Sequence, residues 1–262
     1  MRLAVSNIAW EATNDELMYH KLLKYGYDGL EIAPSRIFTE SPYENLESAS
    51  NWLKSLQENF SLIVPSMQSI WYGRSEKLFG SSEEQCFLLE YTKKAIDFAS
   101  VIGCRNLVFG CPKNRVLMSK KNYEQGIEFF HSIAEYAENR GTIIGIEANP
   151  TIYNTNYINT TKEALALIKE VGRPGLRLNL DIGTMIANNE QIEILTDNVH
   201  LISHVHISEP YLKPIEKRHL HRELAELLQA EGYANFVSIE MGKVDDLTIL
   251  YGKMAYIKEI FS

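Results

Sequence analysis

Short apolar runs alternate with amphipathic segments along the chain. The runs have the length of buried strands, and the segments between them place apolar residues three or four positions apart, as one face of a helix requires. Strands are predicted at residues 2–6, 28–32, 62–67, 106–110, 143–147, 176–181, 202–206 and 236–240. Helices are predicted near residues 14–25, 44–59, 82–102, 121–140, 161–171, 188–198, 219–231 and 246–261.

Eight strand–helix units of this kind predict a parallel sheet closed into a (β/α)₈ TIM barrel, as one domain over residues 1–262. A doubly wound open sheet is the competing architecture, and the count of eight favours the barrel. The longest irregular stretches, 68–81, 110–119, 148–160 and 207–218, each follow a strand and precede a helix. Such loops build the active face of this barrel. Thr160 and Glu163 predict a capping box at a helix start, and Gly172 predicts its end.

Four acidic or imidazole residues each end a separate apolar strand in the second half of the chain. They are Glu147 in TIIGIEANP, Asp181 in LRLNLDIGT, His206 in LISHVHISEP and Glu240 in FVSIEMGK. Burial of an unpaired carboxylate is costly, so such groups are normally paired or bound to a metal. Strand alternation allows all four to point toward the barrel axis. Their oxygen and imidazole donors predict a site for one divalent metal ion, with Mn²⁺, Mg²⁺, Co²⁺ and Zn²⁺ as candidates.

Composition and charge limit the classes of molecule that the protein is expected to bind and the compartment in which it is expected. A net charge of −8 disfavours nucleic acid, because phosphate binding needs a basic face. Three cysteines give no disulfide framework and fit a reducing compartment. No apolar run reaches the about 18 residues that span a bilayer, and the initial MRLAVS predicts a strand rather than a signal peptide. We expect a cytoplasmic protein without membrane contact. The sequence leaves open whether the protein forms a homo-oligomer.

The strings IEANP, LNLDIGT, HVHISEP and SIEMG resemble the xylose-isomerase-like TIM-barrel superfamily, in particular its sugar phosphate isomerase/epimerase group. The resemblance covers essentially the whole chain. It implies that the four strand-end residues are the metal ligands. It also implies that Glu147 and Glu240 act as acid and base on opposite faces of a ketose, while the metal polarises oxygens and stabilises an enediolate.

One departure concerns substrate contacts. Many sugar epimerases of this family carry histidine three residues after the aspartate, whereas this chain has Thr184. That histidine usually contacts substrate rather than metal, so the metal prediction is unaffected and the expected substrate contacts differ. Lys113 and Arg115 lie on the same active-face loop. Two cations at this position predict binding of a phosphate or carboxylate group. His204 is predicted to be an interior residue that supports the site. The predicted substrate-binding residues are Glu31, Arg36, Gln68, Trp71, Lys113, Arg115, Asn179, Thr184 and Glu209.

The predicted function is a metal-dependent isomerase or epimerase of a sugar, sugar phosphate or related ketose. A lyase that dehydrates a keto-cyclitol or keto acid is an alternative, because it would use the same metal and proton abstraction. An apurinic endonuclease-like hydrolase is disfavoured, since it needs further histidines at early strand ends. A non-catalytic sugar-binding barrel is disfavoured by the complete ligand set.

Overall fold

A computed structural model describes residues 1–119 and 122–262. Eight parallel strands form one sheet in the hydrogen-bonded order β2-β1-β8-β7-β6-β5-β4-β3. The strands are β1 Arg2–Ser6, β2 Gly29–Glu31, β3 Ser66–Met67, β4 Asn106–Phe109, β5 Ile143–Ile146, β6 Leu176–Asp181, β7 Ile202–Ile207 and β8 Phe236–Ile239. Two isolated parallel bridges, Gly29 to Ile63 and Ile32 to Met67, bring the outer strands β2 and β3 together. The predicted TIM-barrel fold is therefore confirmed.

Helices lie between the strands on the outside of the barrel. They are α1 Asp15–Tyr25, α2 Pro34–Ile37, α3 Leu46–Phe60, α4 Ser82–Val101, α5 Asn122–Glu138, α6 Thr161–Val171, α7 Ile182–Asn188, α8 His219–Ala230 and α9 Leu247–Phe261. Short 3-10 helices occupy Asn7–Ala9, Ala12–Asn14, Pro112–Asn114, Thr151–Tyr153, Ile192–Leu195, Val199–Leu201 and Pro210–Leu212. Residue 121, the predicted start of the fourth helix, lies outside the described residues.

Two predicted elements differ from the structure. The helix predicted at 188–198 is wrong: α7 begins directly after β6, and only a short 3-10 turn follows at Ile192–Leu195. Asp181 caps α7 by accepting a hydrogen bond from the Thr184 amide, so the chain enters the helix without a loop. The third strand shrinks to two residues, because Pro65 has no amide hydrogen for a ladder bond.

The predicted helix ends of α6 are confirmed. Thr160 and Glu163 form both halves of a capping box, and Gly172 terminates the helix in the left-handed conformation with φ 64°.

The core divides into two layers by strand alternation. Apolar side chains such as Leu30, Ile144 and Leu180 point outward and are fully buried under the helices. Asn106 and Asn179 point inward, and Nδ2 of Asn106 donates to Oδ1 of Asn179 at 3.3 Å. The inward layer near the site is therefore polar and hydrogen-bonded. None of the helices in the described ranges is both long and apolar enough to cross a membrane.

Gly145 keeps this inward layer compact. A Cβ atom at Gly145 would lie 2.6 Å from Oδ1 of Asn106 and 3.1 Å from Cβ of Asn179. No side chain fits there, so the two asparagines can meet beneath the carboxyl end of β5.

Candidate metal centre

The four strand-end residues meet at the carboxyl-terminal mouth of the barrel. Asp181 is the last residue of β6, His206 lies near the end of β7, and Glu147 and Glu240 directly follow β5 and β8. One donor atom from each lies within 4.8 Å of the others. Parallel strands end at the same edge, which is why residues up to 93 positions apart in the sequence converge here.

His206 lies at the centre of this cluster and is fully buried. Its Nδ1 atom is 3.2 Å from Oε2 of Glu147 and 3.2 Å from Oε2 of Glu240. Burial alone would lower the pKa of His206, but Glu240 and Glu31 outweigh it and raise the pKa well above the usual value. The cluster therefore carries excess negative charge and favours a cation at its centre.

Asp181 is fixed by two hydrogen bonds from the loops around it. Its Oδ1 accepts from the Thr184 amide at 2.6 Å, and its Oδ2 accepts from the Ser208 hydroxyl. Burial and the nearby Glu147 and Glu240 raise the pKa of Asp181 to about 7. A group of like charges held this close is stabilised when a divalent cation lies between them.

Glu147 is held at both carboxylate oxygens. Asn149 donates to Oε1 at 2.9 Å, and Asn179 donates to Oε2 at 2.9 Å. The buried Arg115 guanidinium donates to the Glu147 backbone carbonyl and to Oδ1 of Asn149, both at 2.7 Å. The carboxylate thus has one fixed orientation.

Glu240 is less constrained than Glu147. Its Oε2 atom lies near His206, while no donor in residues 1–119 or 122–262 hydrogen-bonds its Oε1. Burial is the main cause that raises the pKa of Glu240. Glu240 therefore has a free oxygen and a raised proton affinity, the two properties of a proton acceptor.

A second buried group supports His206 from below. Oε2 of Glu31 lies 2.9 Å from Nε2 of His206 and 3.1 Å from Nε2 of His204. Gln68 donates to Oε1 of Glu31 at 3.2 Å, and His204 also meets Oγ of Ser238 at 2.8 Å. Burial would raise the pKa of Glu31, but the two histidines outweigh it and lower it. His204 is buried and hydrogen-bonded, as predicted for an interior residue, and its supporting role stays a prediction.

This arrangement assigns the two ring nitrogens of His206. In the neutral ring that a metal would bind, a proton on Nε2 would donate to Glu31 and leave the lone pair of Nδ1 toward Glu147 and Glu240. A carboxylate that accepts from the remote nitrogen of a metal-binding histidine commonly fixes the tautomer and ring orientation. The donor set of three carboxylates and one imidazole fits a divalent metal ion.

A cavity of about 190 Å³ lies above the cluster. Gln68 and Glu209, two predicted substrate-binding residues, line it together with Glu147, Asp181 and Glu240. Glu209 is buried and already pairs with Arg218, whose Nε and Nη2 donate at 2.7 and 2.5 Å. Its charge is thus neutralised within the protein.

Other predicted substrate-binding residues lie outside this cavity. Arg36 pairs with Asp15 at 2.6 Å, and Arg115 is fully buried beneath the cavity lining. Trp71 and Lys113 line a neighbouring cleft instead. A local cause keeps each of them out of the cavity. Arg36 and Arg115 bond to nearer acceptors, and Lys113 lies at an exposed position of its loop. The Trp71 indole nitrogen donates to Oγ1 of Thr92.

Three further predicted residues touch the cluster or its surroundings rather than open space. Asn179 bonds Glu147, Glu31 bonds the two histidines, and Thr184 donates its hydroxyl to the Ala148 carbonyl at 2.8 Å. The Thr184 hydroxyl is therefore used within the protein, unlike a free side chain that faces substrate.

The sequence reasoning missed Ser208 and Tyr153, which also line the cavity. Ser208 follows His206 by two residues, so strand alternation could have placed it on the same side. Tyr153 lies in a 3-10 turn of the loop after β5, where no periodic pattern indicates direction.

Comparison with known proteins agrees with this architecture. The family model described as xylose isomerase-like TIM barrel matches residues 19–259. The chain belongs to this family. The L-ribulose 3-epimerase of Methylomonas sp. is 29% identical over 127 residues, which is 47% of this chain and 44% of that protein. The ketose 3-epimerase of Arthrobacter globiformis is 31% identical over 80 residues, 30% of this chain and 27% of that protein.

The matched segments thus span less than half the length of these relatives. Among solved structures, the 3-keto-D-glucoside 4-epimerase of E. coli superposes with a TM-score of 0.76 at 19% identity, covering 99% of both chains. At this identity the likeness shows the shared fold.

Proposed function

We propose that this protein is a divalent-metal-dependent isomerase or epimerase of a ketose-type sugar. The observation that carries the proposal is the convergence of Glu147, Asp181, His206 and Glu240 within 4.8 Å at the active face of the barrel. The matched relatives named as 3-epimerases support the sugar class. The 190 Å³ cavity has room for about one small sugar unit.

The four residues would hold the metal, with Glu31 keeping the His206 imidazole in the binding tautomer. When bound, a divalent cation supplies Lewis-acid polarisation of substrate oxygens. Three carboxylates and one imidazole would hold the ion, and the cavity above them would admit substrate oxygens to it.

Proton transfer falls to the two glutamates. One carboxylate takes the proton from the carbon next to the carbonyl; the C–H electron pair forms the new C=C bond, and the carbonyl π pair moves to oxygen. A proton returned to the opposite face of that carbon, with the oxygen electron pair re-forming the carbonyl, gives the epimer. A proton returned to the former carbonyl carbon, with the neighbouring hydroxyl proton moving to the former carbonyl oxygen, gives the isomer. The free Oε1 and raised pKa of Glu240 favour it as the first acceptor. The two hydrogen bonds on Glu147 hold its carboxylate in one position, and the return of the proton is assigned to it as the second carboxylate.

The decisive experiment follows deuterium in D₂O. Metal-loaded protein is incubated with a panel of ketoses, keto acids and cyclitols, and the products are analysed by NMR and mass spectrometry. Deuterium at one carbon next to the carbonyl is expected in the product. Conversion without deuterium would replace proton abstraction by a hydride shift, and loss of water would place the protein among the lyases.

Variants of the two glutamates test the assignment. Glu240→Gln and Glu147→Gln keep the side-chain shape and remove the base, so turnover should fall by at least about 10²-fold. Glu216→Gln, on an exposed side chain, is the control. Bound metal is measured in each protein, because a lost ligand also lowers metal affinity. Metal-loaded variants with wild-type turnover would exclude the two-carboxylate mechanism.

A further inference from the structure

A second cleft lies beside the metal cavity on the active face. The two share Ser69, Cys111 and Pro112 in their walls. The second cleft has a volume of about 510 Å³ and lies between the loops that follow β3 and β4. A substrate that extends past these three shared residues would place its far end in the second cleft.

The walls of the cleft are held together by hydrogen bonds between its two loops. Nδ2 of Asn114 donates to the carbonyls of Arg74 and Glu76 at 3.1 and 2.8 Å. The Leu78 amide donates to the Asn114 carbonyl, and Nζ of Lys77 donates to the Lys113 carbonyl, both at 2.8 Å. These four bonds make the cleft a preformed feature.

Trp71 provides a fixed base for the same cleft. Its indole nitrogen donates to Oγ1 of Thr92 at 2.9 Å, and its ring packs edge-on against Phe109 at 4.7 Å and Phe129 at 5.8 Å. The side chain is 2% exposed. It therefore holds the loop in place, while the neighbouring Tyr72 is 72% exposed and carries a free ring and hydroxyl.

The two cavities have opposite charge. The metal cavity is lined by Glu147, Asp181 and Glu240, and by Glu209, whose charge Arg218 neutralises; its lining includes no lysine or arginine. The second cleft is lined by Lys113 and Arg74 with no carboxylate in its lining. The second cleft therefore attracts an anionic group through its own side chains, which the first cavity cannot do.

The two cations of the cleft are available to a ligand. Across the described ranges, neither Lys113 nor Arg74 forms an ion pair. Lys113 is exposed, and the Arg74 guanidinium lies 5.2 Å from the ring centre of Tyr91 and 5.9 Å from that of Phe87. The rings orient Arg74 without neutralising it, and they line an adjoining cleft that Arg74 borders as well, together with Glu44 and Lys94.

We infer that this cleft is a subsite for an anionic substituent, a phosphate or a carboxylate, on the substrate whose ketose end occupies the metal cavity. Lys113 and Arg74 supply the positive charge, and Tyr72 supplies a hydroxyl donor. This assignment rests on the proposed function for the identity of the ketose end. It replaces Arg115, which is buried beneath the cavity, by Arg74 as the second cation.

A binding experiment tests the subsite without turnover. Inorganic phosphate is titrated into the intact protein and followed by calorimetry and ³¹P NMR. Lys113→Ala is expected to raise the phosphate Kd about three- to fivefold, and Lys113→Glu more strongly. Lys213→Ala, on an exposed lysine of the loop after β7, is the matched control and should leave Kd unchanged. Arg74→Gln should weaken binding in the same way as Lys113→Ala.

A kinetic experiment links the subsite to the reaction. Deuterium exchange is compared for D-fructose and D-fructose 6-phosphate, and Lys113→Ala should raise KM for the phosphate ester alone. If phosphate binds the cleft but neither ketose exchanges, the subsite stands and the proposed function fails. If phosphate binding is insensitive to Lys113 and Arg74, or equal in Lys113→Ala and Lys213→Ala, the subsite is excluded whatever the reaction.

Discussion

Replacing Glu31 by Gln should weaken metal binding although Glu31 is not one of the four proposed ligands. The Glu31 carboxylate is fully buried and lies 2.9 Å from Nε2 of His206. Its charge favours a proton on Nε2 and therefore a free lone pair on Nδ1. Gln has nearly the same shape, so packing is retained while that electrostatic preference is lost.

The size of the effect follows from the role of such partners. Removal of a carboxylate that accepts from a metal-binding histidine typically costs 10- to 100-fold in metal affinity. This corresponds to about 1.4–2.7 kcal/mol of binding free energy. Because Oε2 of Glu31 also meets His204 at 3.1 Å, we expect the upper part of that range.

Calorimetric titration of the metal-free protein with Mn²⁺ measures the change. Glu138→Gln is the matched control, since Glu138 is a half-buried carboxylate that pairs with Arg173 at 2.7 Å, remote from the metal cluster. Circular dichroism and thermal melting check that Glu31→Gln is folded. A folded Glu31→Gln protein with wild-type Mn²⁺ affinity would refute the argument and show that packing alone orients His206.

Three further variants test the surroundings. Thr160→Ala should lower the free energy of unfolding by about 1 kcal/mol in a urea titration, with Thr160→Ser restoring most of it, because the capping box of α6 is lost; equal stability of both variants would contradict this. Burial lowers the pKa of His221 to about 4, below its ordinary 6.5, so the stability it allows is present above pH 6.5 and is lost as pH falls through about 4. The free energy of unfolding of the wild type should therefore fall by up to about 3 kcal/mol between these pH values, and this fall should be absent in His221→Gln. His219→Gln, at an exposed site on the same helix, should keep the wild-type pH dependence. Arg115→Met should lower kcat more than it raises KM, because the bonds that align Glu147 and Asn149 disappear; a change in KM alone would indicate substrate contact.

The group of four strand-end residues was predictable because each of its members ends a strand. Period-two alternation fixes which side of a strand a residue occupies, and parallel strands share one edge. These two rules place Glu147 beside Asp181 without any knowledge of loops. The same rules placed His204 below His206.

The wrong predictions concern side chains that hydrogen-bond to groups the local sequence pattern does not indicate. Arg115 looked like a loop cation that is free to bind anions, but its acceptors, the Glu147 carbonyl and Asn149, lie 32 and 34 residues further along the chain. Helix α7 was misplaced because Asp181 serves both as a cluster member and as the helix cap, which removes the usual loop. Neither relationship is visible in local periodicity.

The bond between Arg115 and Glu147 has a consequence for redesign. The loop that carries Arg115 also supplies Cys111, Pro112 and Lys113 to the walls of the second cleft. A loop grafted from another barrel to change substrate preference would therefore also release the backbone of Glu147, one of the two proposed acid–base residues. Exchange of single outward-facing side chains, such as Lys113, leaves that anchor intact. Selectivity in this barrel should be easier to evolve residue by residue than by swapping whole loops.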